Sequence, residues 1–442
     1  MKILDRFRPA SRFASAFVFA VRAFCASSLF ADDPVPLPNA WLNATAHCIP
    51  KETATEGEGY FAIVEGKNGR LYIGTHGNAV NSWLVEFDPA SAAMNVVVDV
   101  HQAIGKDLRG FGAQSKIHSR NNTGDSGKIY FATKQGYQAA GETYTDYPGG
   151  YPMVYDPATG GTKVYPIPVP HQGVISITPD ESRGIAYIST CSDGKPGPHE
   201  SAHFMVLDLN QGTYRDLVDS EHIYAFIVID HRGRAYHPLR GGDIACYDPE
   251  TGTLHRLKHT IDGQSPSPES HSADPEGHPI NWDIDPKRTT LYSVPMNANQ
   301  LYAYDLAQEG DTLNGRGLGS LVPGATATDC RAMCVGPTGE VWVAVTEPHP
   351  DVGSLLHLVS YKPGDAAPRD RGPVAVVNPD FTVFTDAAGN ALPFHGGFVK
   401  LKNGRTTTRY VILGVCQGRD GAVNVLALHP YSVLRIEPDQ LR

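Results

Sequence analysis

A seven-bladed β-propeller, all-β with four antiparallel strands per blade, is the fold this sequence predicts. Two observations carry it. A tetrapeptide ending in aromatic-Asp-Pro or a variant recurs seven times: "EFDP" from Glu86, "VYDP" from Val154, "VLDL" from Val206, "CYDP" from Cys246, "AYDL" from Ala303, "SYKP" from Ser360 and "ALHP" from Ala427. A β-rich run precedes each, in order "RLYIGTH", "KIYFATK", "IAYIST", "RAYHP", "TLYSVP", "EVWVAVT" and "RYVILGV".

Each unit then resolves into four strands. Turn signals such as "KNG" from Lys67, "DSG" from Asp125 and "PTG" from Pro337 stand before most of the β-rich runs, because Gly, Asn and Asp tolerate the backbone angles of tight turns. Another strand lies before the turn: "YFAIVEG", "KIHSRNN", "GVISITP", "YAFIVID", "INWDIDP", "RAMCVGP" and "GFVKLKN". A fourth follows the Asp-Pro, as in "MNVVVDV", "TKVYPIP" and "SVLRIEP". Such a unit cannot bury its faces alone, so repetition around a closed ring is the expected solution. Two separate β-sandwiches are the alternative.

Composition agrees. The chain has 442 residues, more than one simple core accommodates, and its 45 Gly and 34 Pro favour short strands and turns. No stretch sustains an apolar period of 3.6 residues with caps, so long helices are not expected. A formal net charge of −10 argues against nucleic acid or an anionic membrane as partner. An anionic substrate would need a local cationic pocket.

Residues 1–31 read as a secretory signal peptide: Lys2, Arg6, Arg8 and Arg12 precede the apolar "FASAFVFA", and the small-residue stretch "CASSLFADD" follows. Residues 32–442 are then a single propeller domain of a secreted or periplasmic protein, expected to be a monomer. Six cysteines lie in that domain, with no CxxC pair and no metal-ligand spacing. Core thiols are expected for most, with one or two disulfides open in an oxidising compartment.

The first strand of a propeller blade runs beside the axis, so its opening residues line the channel mouth. Those openings carry Tyr60, His118, His171, His222, His278, Arg331 and His395. Second strands end on the same face and add His76, Gln135 and His237, with Arg240 just beyond. Imidazoles and aromatic rings suit a sugar, whose faces stack and whose hydroxyls hydrogen-bond. Each histidine taken singly is equally a hydrogen-bonded resident of a wet channel.

Several chemistries lack their residues. No convincing carboxylate pair for a standard glycosidase flanks the channel, and neither GxSxG nor HExxH occurs. Asn281 with Asp283 is a weak match to a divalent-cation site, leaving a channel calcium as an open option. Imidazole proton transfer remains. A histidine abstracts the C5 proton of a uronate whose carboxylate is neutralised, and β-elimination expels the group on O4. His118 fits the base, Tyr187 or His76 the acid, and Arg331 the carboxylate clamp; His171, His222, His237, Arg240, His278 and His395 are candidates for substrate binding.

The segments "LYIGTHGNAVNSWLVEFDP", "KIHSRNNTGDSGKIYFATKQGY", "DYPGGYPMVYDPATG", "AFIVIDHRGRAYHP", "GHPINWD" and "TDCRAMCVGPTG" resemble the secreted propellers of glycoside hydrolase family 145 and polysaccharide lyase family 42. The resemblance covers about residues 55–440. It implies action on L-rhamnose linked α-1,4 to D-glucuronate at the ends of complex plant or algal glycans, by elimination or by hydrolysis. In the wider group a histidine pair, a tyrosine and an arginine work in the channel. His118 matches the first histidine; Gln135 stands where the second is expected, Tyr187 matches the tyrosine by spacing, and His199 and His203 stand near the expected arginine. Elimination is the leading expectation, hydrolysis of the same bond by a histidine and the substrate carboxylate the second, and a non-catalytic sugar-binding propeller the third.

Overall fold

The computed structural model describes residues 41–55, 59–192, 201–221, 225–239, 241–266, 280–295, 299–325, 329–349, 353–378, 397–408 and 414–442. The sequence-predicted signal peptide, His222, Arg240, His278 and His395 lie outside them. No helix among the described residues is long and apolar enough to cross a membrane.

Strand pairing among the described residues forms five sheets that divide into successive four-stranded antiparallel sets, which we term blades, with parallel contacts joining neighbouring sets in the 8- and 10-stranded sheets. Blade 1 is Ile63–Glu65, Leu71–Gly74, Trp83–Asp88 and Ala93–Asp99. Blade 2 opens on a strand broken into Lys116–Ile117 and Asn122–Thr123, then runs Ile129–Lys134, Pro152–Asp156 and Gly161–Val164. Blades 3 to 6 begin at Gly173–Asp180, Val228–Ile229, Ile280–Ile284 and Asp329–Val335.

The last blade corrects the sequence reading. Its strands are Val415–Gln417, Val423–Ala427 and Ser432–Ile436, and its fourth is the N-terminal Leu42–Cys48, antiparallel to Ser432–Ile436. The "GFVKLKN" segment, expected to be an innermost strand, instead contributes Phe398–Lys400 to a small hairpin whose other strand, Thr406–Thr408, pairs beside blade 6. Strand repeats counted along the chain cannot show that the two ends share one sheet.

Among the described residues, seven apolar clusters each join two neighbouring blades. Ile73 and Phe87 of blade 1 pack with Val433 of blade 7, while Tyr72 packs with Phe131 and Met153 of blade 2. Because both faces of every sheet are covered, second strands are continuously buried, as Leu71–Gly74 and Ile129–Lys134 are. An aromatic residue recurs at one position of this strand: Tyr72, Tyr130, Tyr187, Tyr236, Tyr292 and Trp342, all buried. The repeat aspartates close turns: Asp88, Asp156, Asp208, Asp248 and Asp305 each accept the backbone N–H two residues on, at 2.8–2.9 Å.

Candidate functional site

The candidate site is built around His118. The first strand of blade 2 breaks between Ile117 and Asn122, an irregularity that re-aims side chains next to a sheet edge. His118 falls in the break. Its ring lies 3.8 Å from that of Tyr60, whose hydroxyl shares a 2.6 Å hydrogen bond with that of Tyr137. The His76 ring lies 5.7 Å from Tyr60 and 5.5 Å from Tyr137.

Two lysines that the sequence reading passed over complete the group. Lys116 pairs with Lys134 directly across the ladder, and His76 bridges to Lys116 from the neighbouring blade. Lys116 and Lys134 are both fully buried, as are His76 and Gln135. The Lys116 ammonium sits 3.7 Å from the Tyr137 ring centroid and 5.0 Å from that of Tyr60. Like charges directly opposite on a sheet repel, and buried charge is costly unless something compensates it. Burial, then the charges of Lys134, Lys116 and His76, hold His118 well below the ordinary imidazole range. His118 thus stands in a cationic setting that disfavours its protonation. The available signal was alternation: Lys116 and His118 flank the apolar Ile117.

Gln135, at the position of the expected second histidine, follows Lys134 in the chain, and Lys134 is the register partner of Lys116. Gly173 makes room for both, since a Cβ there would lie 2.5 Å from Lys134 Cγ and 2.8 Å from Gln135 Oε1. Phe61 forms the floor, 5.8 Å from the His118 ring and 5.0 Å from Phe226.

Other expected residues lie elsewhere. Tyr187 occupies the repeated aromatic position in the core between blades 3 and 4, its hydroxyl donating to the Gly233 carbonyl at 3.3 Å. Burial raises its pKa. This is a packing position, outside the ring contacts that join His118, Tyr60, His76 and Tyr137. His237 is fully buried, bonded to Ser189 Oγ and the Pro238 carbonyl at 2.7 Å each and stacked on Phe204. Burial depresses its pKa to about 4. His171 adopts a left-handed φ of 64° and bonds the Tyr147 carbonyl at 2.6 Å. His203 bonds Asp216 on the adjacent strand of blade 3 at 2.6 Å. Arg331 lies in the first strand of blade 6.

Beyond Phe61 the channel holds a cavity of about 160 Å³. Arg120 of blade 2 crosses it to meet Asp283 of blade 5 at 2.5 Å and donates to the Trp282 carbonyl at 2.7 Å. Asp283 also accepts the Val335 and Ile284 backbone N–H groups, both at 2.8 Å. Calcium requires six to eight oxygen ligands. The Asp283 carboxylate is so engaged, and no group of three His, Cys, Asp or Glu side chains that could hold a metal occurs among the described residues. All six described cysteines are free thiols.

The fold defines the chain as an all-β propeller. No family model matches it and no curated protein does. Among solved structures, a chain of a mitotic checkpoint complex is similar over 95% of this chain and 99% of its own, at 10% identity and a TM-score of 0.50. The periplasmic gluconolactonase of Pseudomonas aeruginosa matches at 13% identity and TM-score 0.47, covering 83% and 96% of the two chains. The Cps50 (Swd1) β-propeller domain of Myceliophteria thermophila matches at 9% and 0.47, covering 86% and 96%. The likeness is one of fold alone.

Proposed function

We propose that this chain is a secreted carbohydrate-active enzyme that cleaves L-rhamnose-α-1,4-D-glucuronate ends by β-elimination. The observation that carries this reading is a neutral, buried His118 beside two lysines that face each other across the ladder. Such a pair of ammonium groups suits a carboxylate held between them. With that charge neutralised, the C5–H of the uronate becomes acidic enough for imidazole to remove.

The electron pair of the C5–H bond then forms the C4–C5 double bond as the C4–O4 bond breaks. Tyr137 is the fitting proton donor to the departing oxygen. It is half-buried at the described edge of the site, and its hydroxyl is already hydrogen-bonded to that of Tyr60. His118 ends protonated and Tyr137 deprotonated, and solvent restores both.

Incubation with a rhamnose-capped glucuronate oligosaccharide tests the reading. Elimination yields an unsaturated uronate that absorbs in the ultraviolet, with product masses that sum to the substrate. Products heavier by one water, without new absorbance, would establish hydrolysis instead. Binding without product would leave a sugar-binding propeller.

A further inference from the structure

The loop that follows His76 leads outward into a second concavity. An open groove of about 570 Å³ runs along blade 1, with Asn81, Trp83, Asp99, Gln102, Lys106 and Arg109 in its walls. Trp83 is half-buried and rigidly held. Its indole N–H donates to Asp99 Oδ2 at 3.0 Å, while Asp99 Oδ1 accepts from the Asn81 side chain at 2.8 Å and from the Gln102 backbone at 2.9 Å. Those three donors lower the Asp99 pKa against the opposing effect of burial, so its charge is spent on fixing the platform. On the inner side the indole packs on Gly77, the residue after His76, where a Cβ would lie 2.8 Å from Trp83 Cζ3.

We propose that this groove is an accessory subsite for the sugar units of an acidic glycan beyond the linkage held at His118. The inference rests on the carbohydrate reading above, and concerns chain-length recognition rather than catalysis. A fixed aromatic face ringed by polar groups is the arrangement that binds a pyranose, ring face on indole and hydroxyls on the rim. Lys106, which also donates to the Tyr151 hydroxyl at 2.9 Å, and Arg109, paired with Asp107 at 2.8 Å, supply cationic donors for a second carboxylate. Trp83 packs on Gly77, the residue next to His76, so the groove and the His118 group share the loop that follows the second strand of blade 1.

The test compares binding of a rhamnose-capped glucuronate disaccharide and the corresponding tetrasaccharide by calorimetry, in a His118→Ala background that prevents turnover. Adding Trp83→Ala is expected to weaken the tetrasaccharide about tenfold, the upper end for an aromatic contact, and to change the disaccharide less than twofold. Trp83→Phe should restore most of the loss, which a folding defect would not allow. Equal weakening for both ligands, no weakening for either, or no binding of the tetrasaccharide overturns the proposal. If the wild type forms no product but the length-dependent loss remains, the elimination reading fails and the subsite stands.

Discussion

Lys116 and Lys134 face each other as register partners on the inner strands of blade 2, both fully buried. Placing two ammonium groups there is unfavourable for a sheet by itself and favourable for a carboxylate. Lys134→Met is therefore expected to lower elimination by about 10²–10³-fold, the usual loss for one electrostatic contact at the reacting centre. D-Glucuronate at saturating concentration should raise the melting temperature of the wild type and leave that of Lys134→Met unchanged. Full turnover in the variant would remove the lysine pair from the mechanism.

His118→Gln should reduce turnover by roughly 10²–10⁴-fold, the range for a general base. Because burial and the adjacent cations depress the His118 pKa below 6.5, the base form persists as pH falls. The acid limb of the rate profile should thus lie below pH 6.5, and Lys116→Met should move it upward. An acid limb already at or above 6.5 would contradict the assignment.

His237 makes stability pH-dependent with a definite sign. Its pKa falls from 6.5 to about 4 on folding, so between these values the unfolded chain binds the extra proton. Its contribution, roughly 3 kcal/mol by linkage, is fully present above pH 6.5 and is lost as pH drops toward 4. Denaturant titrations across that window should show the slope, and His237→Gln should flatten it.

Tyr187→Phe should leave turnover within about twofold and cost roughly 0.5–1.5 kcal/mol of stability, the value of one neutral hydrogen bond. A large loss of rate at unchanged stability would return Tyr187 to the catalytic group.

The Arg120–Asp283 pair ties blade 2 to blade 5 across the axis. Arg120→Met leaves the partly buried Asp283 carboxylate to the Val335 and Ile284 N–H groups alone and should cost on the order of 1–3 kcal/mol. Adding Asp283→Asn should recover part of that loss, measured as the coupling in a double-mutant cycle.

Much of the fold is legible locally. The recurring Asp at 88, 156, 208, 248 and 305 makes the same turn each time, so its period marks the blades directly. The seventh blade escaped because Leu42–Cys48 pairs with Ser432–Ile436 from the far end of the chain, a contact no local pattern encodes. The site was half legible. His118 and Tyr60 stood out by their positions at strand openings, whereas Tyr187, chosen by spacing, belongs to a repeated packing position shared with Tyr72 and Tyr236.

The sequence by itself determined the all-β repeat, its turns and the imidazole at the break in blade 2, because alternation and turn chemistry act over a few residues. Only the tertiary structure decided which residue stands opposite Lys116. A one-residue step in register separates Lys134 from Gln135 and exchanges the sheet face each side chain takes. That register is the ladder between Lys116–Ile117 and Ile129–Lys134, a pairing across a turn that no local pattern of alternation fixes to a single residue.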